Sequence, residues 1–121
     1  MVETSNKNNG NPDPSLFGVA EFTRESGAAL SRIEQGIIDA DVDADPDFVS
    51  EGVLEIEFAD GSKMIINRHE VSREVWVAGR TGAYHFRWDG KAWFDTRTGD
   101  GLLAVVSRLA SQMAGQSVSL G

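Results

Sequence analysis

The apolar residues of this chain change their period twice, and few folds accommodate that change. From Val19 to Ile37 they recur at helical spacing: Val19, Thr23, Ser26, Leu30, Ile33 and Ile37 follow one face, with Phe22 and Ala29 beside them. In the middle of the chain the period drops to two: Leu54, Ile56 and Phe58 alternate with Glu55 and Glu57, and Tyr84, Phe86 and Trp88 alternate further on. The helical period then returns in Leu102, Val105, Val106, Leu109 and Met113, with Gly115 as a stop. A run of strands between two helices predicts an α+β fold, a two-layer α/β sandwich. The N- and C-terminal helices would cover one face of an antiparallel sheet and leave the other face wet.

The 121 residues suffice for one domain. Residues 1–14, polar and Asn-rich with two prolines, read as a disordered tail, residues 15–115 as the domain, and 116–121 as a C-terminal tail. Ser15 is the expected cap of a first helix ending near Ala40. Gly27 and Gly36 weaken that helix by up to ~1 kcal/mol each, so it needs tertiary packing. Asp60-Gly61 signals a hairpin. A two-residue loop there would pair Ile56 with Ile65 and turn Met64 and Ile66 outward, although the strand's own pattern does not choose its inner face. Val75 and Val77 point inward, which sets Trp76 on the opposite face, where an exposed tryptophan is a frequent interface anchor. Asp89-Gly90 marks a second hairpin, and Thr98 or Asp100 is positioned to cap the last helix.

Charge is segregated. Residues 33–62 hold ten carboxylates and no Lys or Arg, while the other nine acids are spread among all eleven basic residues. The net charge of −8 therefore comes from one region. Such a field repels nucleic acid and anionic membranes and attracts cations and basic protein surfaces. Within it, Asp39, Asp41, Asp43, Asp45 and Asp47 alternate with period two. On a helix they would not share a face; on an extended chain they all would, and their repulsion favours that solvated form. Carboxylates are hard oxygen ligands suited to Ca, Mg, Mn and iron. An EF-hand is excluded: counted from Asp41, the sixth and twelfth positions are Pro46 and Gly52 where Gly and Glu are needed. A row of carboxylates without His or Cys suggests a shallow, weak, open cation site or a contact for a basic partner, with a merely solvated surface as the plain alternative.

Other chemistries lack support. The absence of cysteine removes disulfides, thiolate metal sites and cysteine nucleophiles, and is consistent with a cytoplasmic protein. There is no phosphate loop and no triad order, and His69 and His85 read as structural or solvated. No apolar run approaches the ~20 residues of a membrane span, and the first residues lack the apolar core of a signal peptide. Nothing here marks an enzyme.

Particular residues go further than composition. The segment Phe58-Ala-Asp-Gly-Ser-Lys-Met-Ile-Ile-Asn-Arg68 resembles the central hairpin of the frataxin family, and so do Glu74-Val-Trp-Val-Ala78 and Gly82-Ala-Tyr-His-Phe86. Trp93 with Asp95, Arg97 and Gly99, leading into a helix near Leu102, is similar to bacterial members of that family. The resemblance runs from about Leu16 to Gly115. It implies an acidic ridge, carried here by Glu34, Asp39, Asp41, Asp43, Asp45 and Asp47, that binds ferrous and ferric iron weakly, with no organic cofactor. It implies sheet-face partner contacts at Asn67, Arg68 and Trp76. It further implies contact with a cysteine desulfurase and an iron–sulfur scaffold protein, and regulation of cluster assembly or iron supply to it, by a monomer able to oligomerise with iron. Two other readings use the same carboxylates: an acidic interaction module without a physiological metal, and a ferroxidase.

Overall fold

The structure is a computed structural model and describes residues 18–121. Among these residues the chain runs α1 (Val19–Ala40), β1 (Ala44–Ser50), β2 (Val53–Phe58), β3 (Lys63–His69), β4 (Glu74–Gly79), β5 (Gly82–Trp88), β6 (Trp93–Asp95) and α2 (Leu102–Ala114). The six strands form one meander in sequence order, every neighbour antiparallel. Both helices lie on one face, as the two changes of period predict. Alternation drives this arrangement: Leu54, Ile56, Phe58, Met64, Ile66, Val75, Val77 and Phe86 share the inner side and are buried against Leu30, Ile33 and Ile37 of α1 and Val105, Val106 and Leu109 of α2. The N-terminal tail and the Ser15 cap fall outside the described residues; the first cap seen is Gly18.

The buried stripe of α1 starts later than the periodicity predicts. Val19 is 59% exposed and Thr23 stands in solvent, so the stripe is Phe22, Ser26, Leu30, Ile33 and Ile37. The β2–β3 hairpin corrects a second expectation. The Phe58 N–H donates to the Ser62 carbonyl and the Gly61 N–H to the Phe58 carbonyl, so the loop spans Ala59 to Gly61 rather than two residues. Gly61 takes φ 85°, the left-handed position that such a bulged turn reserves for glycine. The extra residue slips the register to Ile56↔Met64, and a one-residue slip inverts a whole strand. Met64 and Ile66 therefore lie in the core and Ile65 on the open face.

The residues read as a C-terminal tail pack back onto the helices. Val118 and Leu120 are buried, and the backbone is tied by Val118 N–H to Ser111 Oγ at 2.9 Å and Leu120 N–H to Ser107 Oγ at 2.9 Å. Gly36 now has a reason: a Cβ there would meet Leu120 Cδ2 at 2.6 Å, so the helix gives up propensity for close approach. Ahead of α2, buried Asp95 accepts from the Arg97 N–H at 2.7 Å and holds the turn. Neither Thr98 nor Asp100 caps that helix; its N-cap is Gly101, without a side-chain hydrogen bond.

Candidate functional site

The acidic run is only half extended. The helix persists through Ala40, so Asp39 sits in its last turn, where it accepts from Gln35 Nε2 at 2.8 Å. Asp41 caps the helix in a left-handed conformation, φ 55°, which aspartate tolerates better than most residues. Repulsion alone does not unwind the helix end, because buried Ile33 and Ile37 anchor it to the core. Only Asp45 and Asp47 belong to a strand, with Asp43 just ahead of it. Half-buried Ala44 and Pro46 alternate with them, so both aspartates point out.

Strand pairing adds carboxylates that the linear run does not contain. Asp45 lies opposite Glu57 and Asp47 opposite Glu55, on the open face. Directly opposed side chains in such a ladder stand roughly 4.5–5.5 Å apart at Cβ, and like charges there are destabilising. Lys63, across from Glu57 on the other flank, pairs with Glu55 at 3.6 Å. Asp60 is drawn off by Arg80 at 2.8 Å, and hydrogen bonds from Ser62 hold its carboxyl below the usual range. Glu51 is drawn off by Arg68 at 3.2 Å. Glu34, Asp39, Asp41, Asp43, Asp45, Asp47 and Glu57 form no ion pair with any described residue. Glu55 and Glu57 were legible in principle: their alternation with Leu54, Ile56 and Phe58 already sends them outward, and only the β1 register was missing.

The donor set fits a hard cation, all carboxylate oxygen and open to water. Among the described residues no three carboxylates or imidazoles converge into one metal centre. An ion there would have no more than one or two side chains and its own water as ligands.

The second region lies across the same face. Trp76 stands between two imidazoles, stacked on His69 at 3.9 Å and on His85 at 4.4 Å, so it is half-buried rather than bare. Its Nε1 donates to Glu74 Oε1 at 2.8 Å, and Arg87 Nε donates to Glu74 Oε2 at 2.9 Å. Burial pushes the Glu74 carboxyl up, but the hydrogen bonds from Trp76, Arg87 and Ser72 outweigh it and leave the group below its ordinary value. Asn67 pairs with Trp76 in the ladder and shares its face. Arg68 does not. As the next residue on the strand it faces the helices, its side chain 11% exposed, and it reaches the Thr23 carbonyl and Glu51. Consecutive strand residues cannot share a face. Arg68 thus braces α1, on the other side of the sheet from Asn67 and Trp76. The two histidines, read as structural or solvated, are the walls that fix the indole.

Comparison with known proteins agrees with this geometry. The frataxin-like domain family matches residues 17–116. The chain is 48% identical over 101 residues to the iron–sulfur cluster assembly protein CyaY of Dechloromonas aromatica, covering 84% of this chain and 96% of that one. It is 46% identical over 101 residues to the CyaY of Variovorax paradoxus, covering 80% and 91%. The fold is similar to frataxin from Psychromonas ingrahamii, with a TM-score of 0.80 and 27% identity over 87% of this chain and 99% of that one. It is also similar to trimeric yeast frataxin complexed with ferrous, with a TM-score of 0.63 and 19% identity over 84% and 92%.

Proposed function

The chain belongs to the frataxin family, and from that premise we propose that it serves iron–sulfur cluster assembly by carrying weakly bound iron on its acidic ridge and docking on the assembly machinery. The observation that carries this reading is the carboxylate ladder of Asp45 and Asp47 against Glu57 and Glu55, with Asp43, Asp41, Asp39 and Glu34 continuing it beyond the strand end. A fold keeps opposed like charges at a cost in stability. A multivalent cation or a basic protein patch removes that cost. The curated relatives are named for iron–sulfur cluster assembly, which makes ferrous and ferric iron the cation of choice.

The ridge is the surface for a basic patch on a cysteine desulfurase. The Trp76 face with Asn67 is the surface for the scaffold protein. In this reading the protein is a cytoplasmic monomer able to oligomerise with iron; it binds rather than catalyses and needs no organic cofactor. The absence of a converging carboxylate trio among the described residues favours one second reading, an acidic interaction module whose partner, not a metal, discharges the ridge.

The test is binding to cysteine desulfurase, with and without ferrous iron under anaerobic conditions, using the natural chain and a variant with Asp39, Asp41, Asp43, Asp45 and Asp47 all changed to Asn. The expected result is strong binding lost in the variant, together with a melting temperature of the natural chain that rises with iron by mass action on the native state. Ridge-dependent binding without any iron-dependent rise selects the second reading. Equal binding by both chains overturns the ridge as the contact surface.

A further inference from the structure

A cleft lies on the helical side of the sheet, across it from the carboxylates of β1 and β2. It has a volume of about 490 Å³, within the range of small-molecule sites, and opens between α1, the β5–β6 hairpin and the start of α2. Trp88 and Trp93 form its aromatic wall, and Ala28 and Ala104 leave room opposite, because neither has a side chain long enough to fill it. Trp88 is held in place by its Nε1, which donates to Glu21 at 3.2 Å, so the wall is fixed rather than adaptable.

Its charged groups without an ion pair share one sign. Arg32 and Lys91 line the cleft, both exposed, and neither forms an ion pair with a described residue although the chain carries −8 overall. The one carboxylate on the lining, Glu25, is paired with Arg24 at 3.3 Å. The first residues of α2 also line it, and that helix start has no side-chain cap and no acid in its first turn. An uncapped helix start carries partial positive charge. Finally, Trp93 is 6% exposed, and its indole N–H is buried without an acceptor. A buried donor without a partner is rare and calls for an acceptor.

We propose that this cleft binds a small amphiphilic anion, an aromatic body against Trp88 and Trp93 with a carboxylate directed to Arg32, Lys91 and the start of α2. Apolar wall, unpaired cations and uncapped helix start are met together by this one ligand chemistry. The ligand it selects is opposite in sign to that of the ridge: the carboxylates repel an anion and this cleft attracts one.

The probe is 2-naphthoate, titrated into the full chain and followed by ¹H–¹⁵N NMR, with neutral 2-naphthylmethanol as its charge-free counterpart. Expected are saturable shifts at the indole N–H signals of Trp88 and Trp93 and at the Ala28 and Ala104 amides, with Trp76 unmoved. For a ligand of this size the dissociation constant should fall in the high-micromolar to millimolar range. The alcohol should bind about tenfold more weakly, since charge-assisted hydrogen bonds are the stronger kind. The exposed substitutions Arg32→Gln and Lys91→Gln should each weaken naphthoate about threefold to fivefold while leaving the alcohol unchanged. Equal binding of acid and alcohol, unchanged binding by both variants, shifts centred elsewhere, or no saturable shift at millimolar probe would each overturn the assignment.

Discussion

The open face of the sheet is built in two ways. At the β1–β2 edge, Asp45, Asp47 and Glu57 face one another without an ion pair, and Glu55 has only Lys63. Across β3 to β5, the polar groups beside Trp76 answer one another: Glu74 for its N–H, Arg87 for Glu74, Ser72 for His69. The two halves belong to one antiparallel sheet and to the same open face, so the backbone does not explain the contrast. A satisfied network holds one shape and spends no stability waiting for a partner. An unsatisfied field does the reverse. It is tolerated because water screens it, and it is relieved only by something that arrives. The Trp76 side is thus a fixed, internally bonded surface, and the ridge is the part left open to screening.

The largest blow to this contrast is Glu74→Ala. Glu74 is 7% exposed and accepts from Trp76, Arg87 and Ser72, so its loss takes away an acceptor that all three use. We expect a cost of about 2 kcal/mol in denaturant unfolding, less than for a fully buried pair because Arg87 is 42% exposed. The Trp76 fluorescence should also lose its fixed environment. A loss below about 0.5 kcal/mol, the size of an ordinary surface change, would mean the Trp76 surface does not hang on this carboxylate.

The ridge should answer with the opposite sign. Changing Asp39, Asp41, Asp43, Asp45 and Asp47 to Asn removes charge but not shape. In the absence of metal at low salt, stability should rise by about 1 kcal/mol. Added NaCl should stabilise the natural chain more than the variant, because screening acts on charges that are still there. Salt curves that run parallel would show that the ridge carries no appreciable repulsion.

How far these halves are legible in the sequence follows from the range of the forces that make them. Periodicity is local, so the layers and the helical faces of Leu30, Ile33, Val105 and Leu109 can be read directly. The partners of Asp45 and Asp47 cannot, because they depend on register, and register at β2–β3 turned on one bulged residue at Gly61. The helical stretch of the acidic run shows the same limit. Asp39 and Asp41 obey a period of two on paper, but long-range burial of Ile37 keeps the helix intact beneath them. That consecutive Asn67 and Arg68 cannot share a face was legible from the chain alone, since strand residues alternate; the motif put both on one face, and the pairing of Asn67 with Trp76 sends Arg68 to the other. The His–Trp–His stack was out of reach, because three strands must first be in register.

Acid offers a gentler probe. The Glu74 carboxyl sits below its ordinary value of 4.5, so the unfolded chain takes up a proton at this group before the folded chain does. Its contribution is complete above that value and disappears as pH falls through the lower folded value. The stability gap between the natural chain and Glu74→Gln should therefore narrow as the solution is taken from about pH 6 towards pH 3. A gap that stays constant across this range would show that Glu74 stabilises by shape and not by charge.

The smallest effect sharpens the comparison most. Lys63 is the single cation inside the ladder, 48% exposed and 3.6 Å from Glu55. As an exposed pair it should be worth no more than about 0.5 kcal/mol, and Lys63→Gln should lower stability by that much at low salt. If the ridge is kept for cations, the same change should make ferrous binding about twofold to threefold tighter, because a competing positive charge has been taken away. The two signs oppose each other, and this makes the substitution informative. A residue kept only for stability would lose stability and leave metal affinity where it was. One that tempers the ridge must trade the first for the second, and isothermal titration beside a melting curve reads both from one preparation.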